Sequence, residues 1–156
     1  MMYNTPKLRG KGRNLAGMRF ESSIDINAPV KKVWALVDRL DEWPQWMPSI
    51  KKIELVSKGP LAVGSKLCVT AKVSGLTVKL SMTITEFVPE RHVVLEGNAL
   101  VTKLTRFYVL EPADGRTKIT IGGDVSGALA WLARRSGQKI SAEIALAAKK
   151  RVEGLE

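Results

Sequence analysis

The chain is poor in the residues that usually carry chemistry. It has one cysteine, Cys68, and one histidine, His92, among 156 residues. A single thiol excludes an internal disulfide, and the two residues together leave no Cys/His cluster to hold a metal. No phosphate loop, dinucleotide fingerprint or zinc motif is present. The expectation is a protein with no metal and no cofactor. Long apolar runs are missing as well: the longest, Ala128 to Ala133, is far short of a membrane span. Residues 1–17 hold positive charges but no apolar stretch behind them, so they do not read as a secretory signal. These absences point to a cytoplasmic protein without stable membrane insertion. A Ser-His-Asp group would have to use His92, which opens a strand just after Pro89-Glu90-Arg91. A solvent-facing histidine is ordinary there. Cys68 falls in the middle of a strand and reads as a small packed residue rather than a nucleophile.

What remains is an ordinary globular composition with a strong basic bias. Hydrophobic residues make up 45% and charged residues 26%, enough for one domain with a sizeable core. The net charge is +10. Residues 1–17 carry Lys7, Arg9, Lys11 and Arg13, no acid, and three glycines with little to bury. They are expected to be a disordered basic tail, and residues 18–156 a single folded domain. A solvated leader is the plainer reading of the tail. Loose contact with nucleic acid or anionic lipid is the alternative.

Periodicity then orders the elements. Phe20, Ser22, Ile24 and Ile26 alternate with polar residues, which predicts a half-buried first strand. Pro29 suits the start of a helix, with Asn27 available as its N-cap, and Val33, Trp34 and Val37 follow at helical spacing. Trp43 and Trp46 share a face of a second short helix that Pro44 can begin and Pro48 must end. Strands follow at about Ile50–Ser57, from Leu67 to Val73, and through Val78, Leu80, Met82 and Ile84. Further strands run at His92–Gly97, Leu100–Leu110 and Thr117–Val125. Ser74-Gly75 and Ala113-Asp114-Gly115 are turn signals. After Ser126-Gly127 a long helix carries Leu129, Leu132, Ser136, Ile140, Ile144 and Ala147 on one stripe, with Ser136-Gly137 expected to kink or split it. The order strand, two short helices, six strands, long helix predicts an α+β fold. Its seven-stranded antiparallel sheet needs a cover that only the last helix is long enough to provide.

Residues 28–48 hold three of the four tryptophans. Ala28-Pro29-x-x-x-Val33-Trp34, then Asp38, then Trp43-Pro44-x-Trp46-x-Pro48 resembles the first helix pair of the START-like, Bet v 1-like (SRPBCC) superfamily. Its bacterial members are usually called polyketide cyclase/dehydrase and lipid-transport proteins. Gly59-Pro60-Leu61-Ala62-Val63-Gly64, Glu86-Phe87-Val88-Pro89-Glu90-Arg91 and Leu110-Glu111-Pro112 through Gly115-Arg116-Thr117 resemble turns of the same family in the same order. The resemblance implies a helix-grip, a curved sheet wrapped around the long C-terminal helix, with a ligand cavity between them.

A cavity so placed would be lined by Trp46, Val69, Ala71, Leu80, Met82, Leu95, Phe107, Ile140 and Ile144. The sixth strand adds a polar pair. Leu104, Arg106, Tyr108 and Leu110 share one face, and Lys103, Thr105, Phe107 and Val109 the other. Both faces are mixed, so the period leaves open which one turns inward. If it is the first, Arg106 can pair with a carboxylate or enolate and Tyr108 can donate a proton, which makes them the candidate catalytic residues. Three functions follow: binding of a hydrophobic small molecule such as a lipid, fatty acid or polyketide-like aromatic; cyclisation, aromatisation or dehydration of a polyketone chain; or protein or RNA binding, as in some START-like relatives. The first is preferred, because convincing catalytic groups are scarce.

Overall fold

The computed structural model describes residues 18–99 and 102–154. The tail at 1–17, the expected sixth-strand start at Leu100 and the last two residues lie outside them. Seven strands form one sheet: β1 (Met18–Ile26), β2 (Ile50–Leu55), β3 (Lys66–Val73), β4 (Leu76–Val88), β5 (His92–Ala99), β6 (Thr102–Ala113) and β7 (Arg116–Gly127). Their spatial order is β1-β7-β6-β5-β4-β3-β2, antiparallel throughout. The first two strands in sequence are therefore the two edges of the sheet. The chain crosses between them through α1 (Val30–Asp38), a 3-10 turn (Leu40–Glu42) and α2 (Trp43–Trp46). Two-residue hairpins at Ser74-Gly75 and Asp114-Gly115 have positive φ at both positions, the geometry that matches strand twist.

The apolar face of the sheet gathers one main core. Ile26, Leu67, Val69, Met82, Ile84, Val93, Leu95, Tyr108, Leu110, Ile119 and Ile121 pack there under the three helices. Trp34 meets Phe87 edge-on at 5.5 Å, and Trp43 tilts against Tyr108 at 5.1 Å. The Trp43 indole N–H is satisfied by the Val37 carbonyl at 3.1 Å. Burying such rings supplies the large apolar areas that short helices otherwise lack. Phe87 reaches this face because β4 is irregular between Ile84 and Glu86, which resets the alternation.

The long helix α3 (Ala130–Glu153) runs unbroken and ends at Gly154 with φ 69°, whose N–H donates to the Lys150 carbonyl. Three details differ from expectation. Ser136-Gly137 neither kinks nor splits the helix; Gly137 is buried there because the Phe20 ring fills the place of its side chain. The inward stripe is rotated, to Ala130, Gly137, Ser141, Ile144, Ala145, Ala148 and Val152, while Leu129 and Leu132 are exposed. Small residues let the helix lie close against β1 and β7 and the Phe20 ring, so size as well as hydrophobicity selects the buried face. Asn27 does not cap α1. Pro29 occupies that position without a side-chain bond, and the Asn27 N–H instead donates to Glu153.

Helix α3 is tied to one edge of the sheet. Gln138 donates to the Glu21 carbonyl at 2.8 Å and accepts the Glu21 N–H at 3.2 Å. Arg134 and Lys149 donate to the carbonyls of Arg19 and Asp25 at 3.1 and 2.8 Å. These bonds satisfy backbone groups that edge strand β1 would otherwise leave open.

Candidate functional site

Strand β6 turns Arg106 and Tyr108 to the helix-covered face. Tyr108 lies in the main core at 2% exposure. Arg106 opposes Gly123 of β7, which in turn opposes Phe20 of β1. Its guanidinium carbon stands 5.9 Å from the Phe20 ring centre and 6.0 Å from that of Tyr108. Phe20 is clamped between two glycines: a Cβ at Gly137 would come within 2.6–2.8 Å of its ring, and one at Gly123 within 2.9 Å. The result is a cation held over two aromatic faces, a favourable but weak arrangement of roughly 0.5–2 kcal/mol. It does not satisfy the donors. Nη2 of Arg106 is buried with no hydrogen-bond partner among the described residues.

A second feature opens on the other flank of α3. A cleft of about 250 Å³ lies between the start of β2, the β3–β4 hairpin and the helix. Lys51, Lys72 and Lys139 line it, one from each of these elements, and Glu143 is the only acid in its wall. None of the three lysines makes an ion pair among the described residues. Lys51 occupies an irregularity in β2, where the register to β3 shifts between Ile50 and Lys52, and its Nζ donates to the Pro48 carbonyl at 3.3 Å. The Ser49 carbonyl accepts the Lys72 N–H at 2.8 Å, which fixes the β2 start against β3. Ser74 and Ser136 share a hydrogen bond of 3.0 Å across the cleft. The Ser49 hydroxyl is buried and has no partner among the described residues. Ile140 lines the cleft and packs against the main core, joining the two regions.

The residues expected to line a cavity fall into three groups. Trp46, Val69, Met82, Leu95 and Ile144 lie in the main core, with Leu80 and Ile140 packed against it and Ala71 also buried. Only Ile140 reaches the cleft. Phe107 is a correction: the two-residue period that turns Arg106 and Tyr108 inward turns it outward, into a small cluster with Val94 and Val109 under Arg19. Cys68 is a partly buried free thiol on β3. His92 pairs with Glu86 at 3.0 Å. Both lie opposite residues of the outer cluster, His92 facing Val109 and Glu86 facing Val94, so this pair belongs to the outer face. The cleft residues Ser49, Lys51, Lys72, Ser74, Ser136, Lys139 and Glu143 escaped sequence reasoning. Only Ser74 and Ser136 had drawn notice, Ser74 in a turn signal and Ser136 both on the helix stripe and in the expected Ser136-Gly137 break.

Among the described residues no group of His, Cys, Asp and Glu is arranged to hold a metal ion, and no helix is long and apolar enough to cross a membrane.

The search of curated proteins returned no match. Among solved structures, the chain is similar to the Zhui aromatase/cyclase of Streptomyces sp. R1128, with a TM-score of 0.79 at 13% identity over 88% of this chain and 94% of that one. A START superfamily protein of Mycobacterium smegmatis gives 0.75 at 16% identity, over 88% and 99% of the two chains. Norcoclaurine synthase of Thalictrum flavum gives 0.70 at 15%, over 90% and 96%. At such identities the likeness is one of fold, the helix-grip, and these relatives' differing activities do not transfer with it. The family described as polyketide cyclase / dehydrase and lipid transport matches residues 18–153, nearly the whole described chain, and the protein belongs to that family.

Proposed function

We propose that the protein binds a hydrophobic small molecule, a lipid, fatty acid or polyketide-like aromatic, between the sheet and α3, with one oxygen of the ligand accepting from Arg106. The observation that carries this reading is the unpartnered Nη2 of Arg106. A buried donor without an acceptor costs about 1–3 kcal/mol, and such groups in native proteins call for an explanation. A ligand oxygen is the acceptor that would explain this one. Apolar walls with few polar groups are what a hydrophobic ligand requires. Tryptophan fluorescence tests the reading, since Trp34, Trp43 and Trp46 all lie in the main core. Titration with fatty acids and with aromatic polyphenols is expected to give a saturable change with at least one class. No saturable change with any member of either class would reject it.

Cyclisation of a polyketone chain is the second reading, favoured by Tyr108 standing beside Arg106 on the same face. The enol of a β-dicarbonyl unit, its oxygen held by Arg106, would attack a carbonyl of the same chain through its carbon, and Tyr108 would give its proton to the new alkoxide and take back the one that the enol releases. Folding the chain into one conformation would supply part of the rate. Incubation with a short polyketone separates the readings: a cyclic product lost in Tyr108→Phe supports turnover, whereas unchanged polyketone recovered from a saturable complex supports binding alone.

A further inference from the structure

We propose that the start of α3 docks the protein reversibly on an anionic lipid surface. This surface is separate from the ligand-binding region above and does not depend on it. Leu129, Trp131 and Leu132 stand there at 44%, 61% and 43% exposure. Single exposed leucines are ordinary on a protein surface, but an open tryptophan with a leucine on either side in sequence is a patch. Arg135 follows Trp131 by four residues and Leu132 by three, so on the unbroken helix it lies one turn along beside both. Lys139 comes one turn later, four residues after Arg135. From Val125 to Ala142 the chain carries Arg134, Arg135 and Lys139 and no acid. Arg134 is engaged by the Arg19 carbonyl, whereas Arg135 and Lys139 make no ion pair among the described residues. Cations this close to a helix start oppose the macrodipole, the first turn holds no acid, and Leu129 caps nothing with its side chain. Helix stability therefore does not account for these residues.

The surroundings add to both the apolar and the basic character of this end. The Ser74–Ser136 bond holds the tip of the β3–β4 hairpin against the second turn of α3. Leu76, 69% exposed and on the sheet face turned to α3, follows that tip directly. Strand β1 begins at the same end, Met18 pairing with Val125, so the chain that carries Lys7, Arg9, Lys11 and Arg13 joins the fold here. The acids of β1 and β7 at this end, Glu21 and Asp124, lie beside Arg19 on the opposite face of the sheet. Tryptophan and leucine among arginine and lysine are the combination that settles into the head groups of an anionic bilayer, with the indole at the boundary and the cations on phosphate. A second copy of the chain is disfavoured, because each carries a net charge of +10 and the patch is itself basic. RNA is disfavoured because one ring offers no stacking series. So few apolar side chains hold a membrane weakly alone, so contact requires the cations as well and is reversible.

Sedimentation of the full chain with vesicles tests the docking, using phosphatidylcholine alone and equal parts of phosphatidylcholine and phosphatidylserine. Binding to the mixed vesicles is expected, weakening as salt is raised, with little binding to the neutral ones. Trp131→Ala should weaken it roughly tenfold, and Arg135→Gln/Lys139→Gln roughly tenfold or more, at about fivefold for each cation near an anionic surface. These positions are exposed, and an unchanged urea midpoint serves as the control for folding. Brominated acyl chains should quench the fluorescence of Trp131 on binding, because Trp34, Trp43 and Trp46 are held in the main core. Trp131→Phe should lose that quenching and still sediment with the mixed vesicles. Absence of binding to the mixed vesicles overturns the proposal, and so does equal binding to both kinds. Binding abolished by Lys7→Gln/Arg9→Gln/Lys11→Gln/Arg13→Gln but indifferent to the α3 variants also overturns it and assigns the contact to residues 1–17. A concentration-dependent dimer lost in Trp131→Ala, or binding of single-stranded RNA in place of vesicles, would give the patch to a different occupant and overturn it too.

Discussion

The two flanks of α3 are built from the same kinds of residue and put them to opposite use. Towards β1, Arg134, Gln138 and Lys149 spend their donors on the backbone of an edge strand. Towards β2 and β3, a single serine–serine bond spans the gap, and Lys139 makes no ion pair among the described residues. One flank is sealed and the other is open. Polar side chains that close a fold and polar side chains left available to a ligand therefore differ in what they face, not in what they are.

The sharpest way to break the comparison is to lift α3 off its sealed flank. Gly137→Val puts a branched side chain where the Phe20 ring already lies, and Phe20 has no retreat because Gly123 backs it on the other side. Overpacking of this kind costs about 1–3 kcal/mol, and valine gives little helix propensity in return. Urea denaturation should show a loss near the upper end of that range. Hydrogen exchange at the Glu21 amide should quicken, since its bond to Gln138 depends on the same approach.

Arg106→Met sharpens the contrast from the other direction. If the guanidinium is kept for a ligand rather than for the fold, removing it should leave the protein as stable or about 1 kcal/mol more stable, because an unpaired buried donor disappears. Affinity for an aromatic polyphenol should drop roughly tenfold in the same variant, one hydrogen bond to a charged donor. A clear loss of stability would mean instead that stacking on Phe20 and Tyr108 is the residue's main role. Next in size is a pair of neighbours on one helix. Gln138→Ala should cost about 1 kcal/mol through its two bonds to Glu21, whereas Lys139→Ala should stay within about 0.5 kcal/mol in a chemical melt. Equal effects would erase the distinction between the flanks.

That pair also marks how far the sequence could be read. The strands were legible because alternation has only two phases, and the tryptophan helices because prolines and rings fix their ends and faces. Which face of β6 turns inward was not legible, since Arg106 and Phe107 alternate between two mixed faces and only the packing of α1 and the Trp43 ring on the Tyr108 side decides between them. The inward stripe of α3 was misjudged because large apolar residues suggested the buried face, while close approach to β1, β7 and the Phe20 ring selected glycine, alanine and serine. The cleft was invisible for a stronger reason. Its lysines come from β2, β3 and α3, more than sixty residues apart from Lys72 to Lys139, and no local spacing relates them. Each alone reads as a solvated surface charge.

The smallest effect expected is a pH dependence at the far end of the sealed flank. Glu153 accepts Lys149 Nζ at 2.8 Å and the Asn27 N–H at 2.6 Å, and these bonds, the lysine's first, hold its carboxyl below the ordinary 4.5. An acid at the last turn of a helix opposes the macrodipole, so the two local bonds must outweigh that field. A carboxyl whose pKa is lower in the folded state binds fewer protons there than when unfolded. Its stabilising contribution is therefore complete above 4.5 and is lost as pH falls through the lowered folded value. Glu153→Gln keeps the shape and removes the titration. Its stability should trail the parent protein by a constant margin near neutral pH, and the two curves should converge on acidification. The absence of a margin at every pH would show that the Asn27 bond, which glutamine can still accept, carries the whole contact and that the charge on Lys149 contributes nothing to sealing this end.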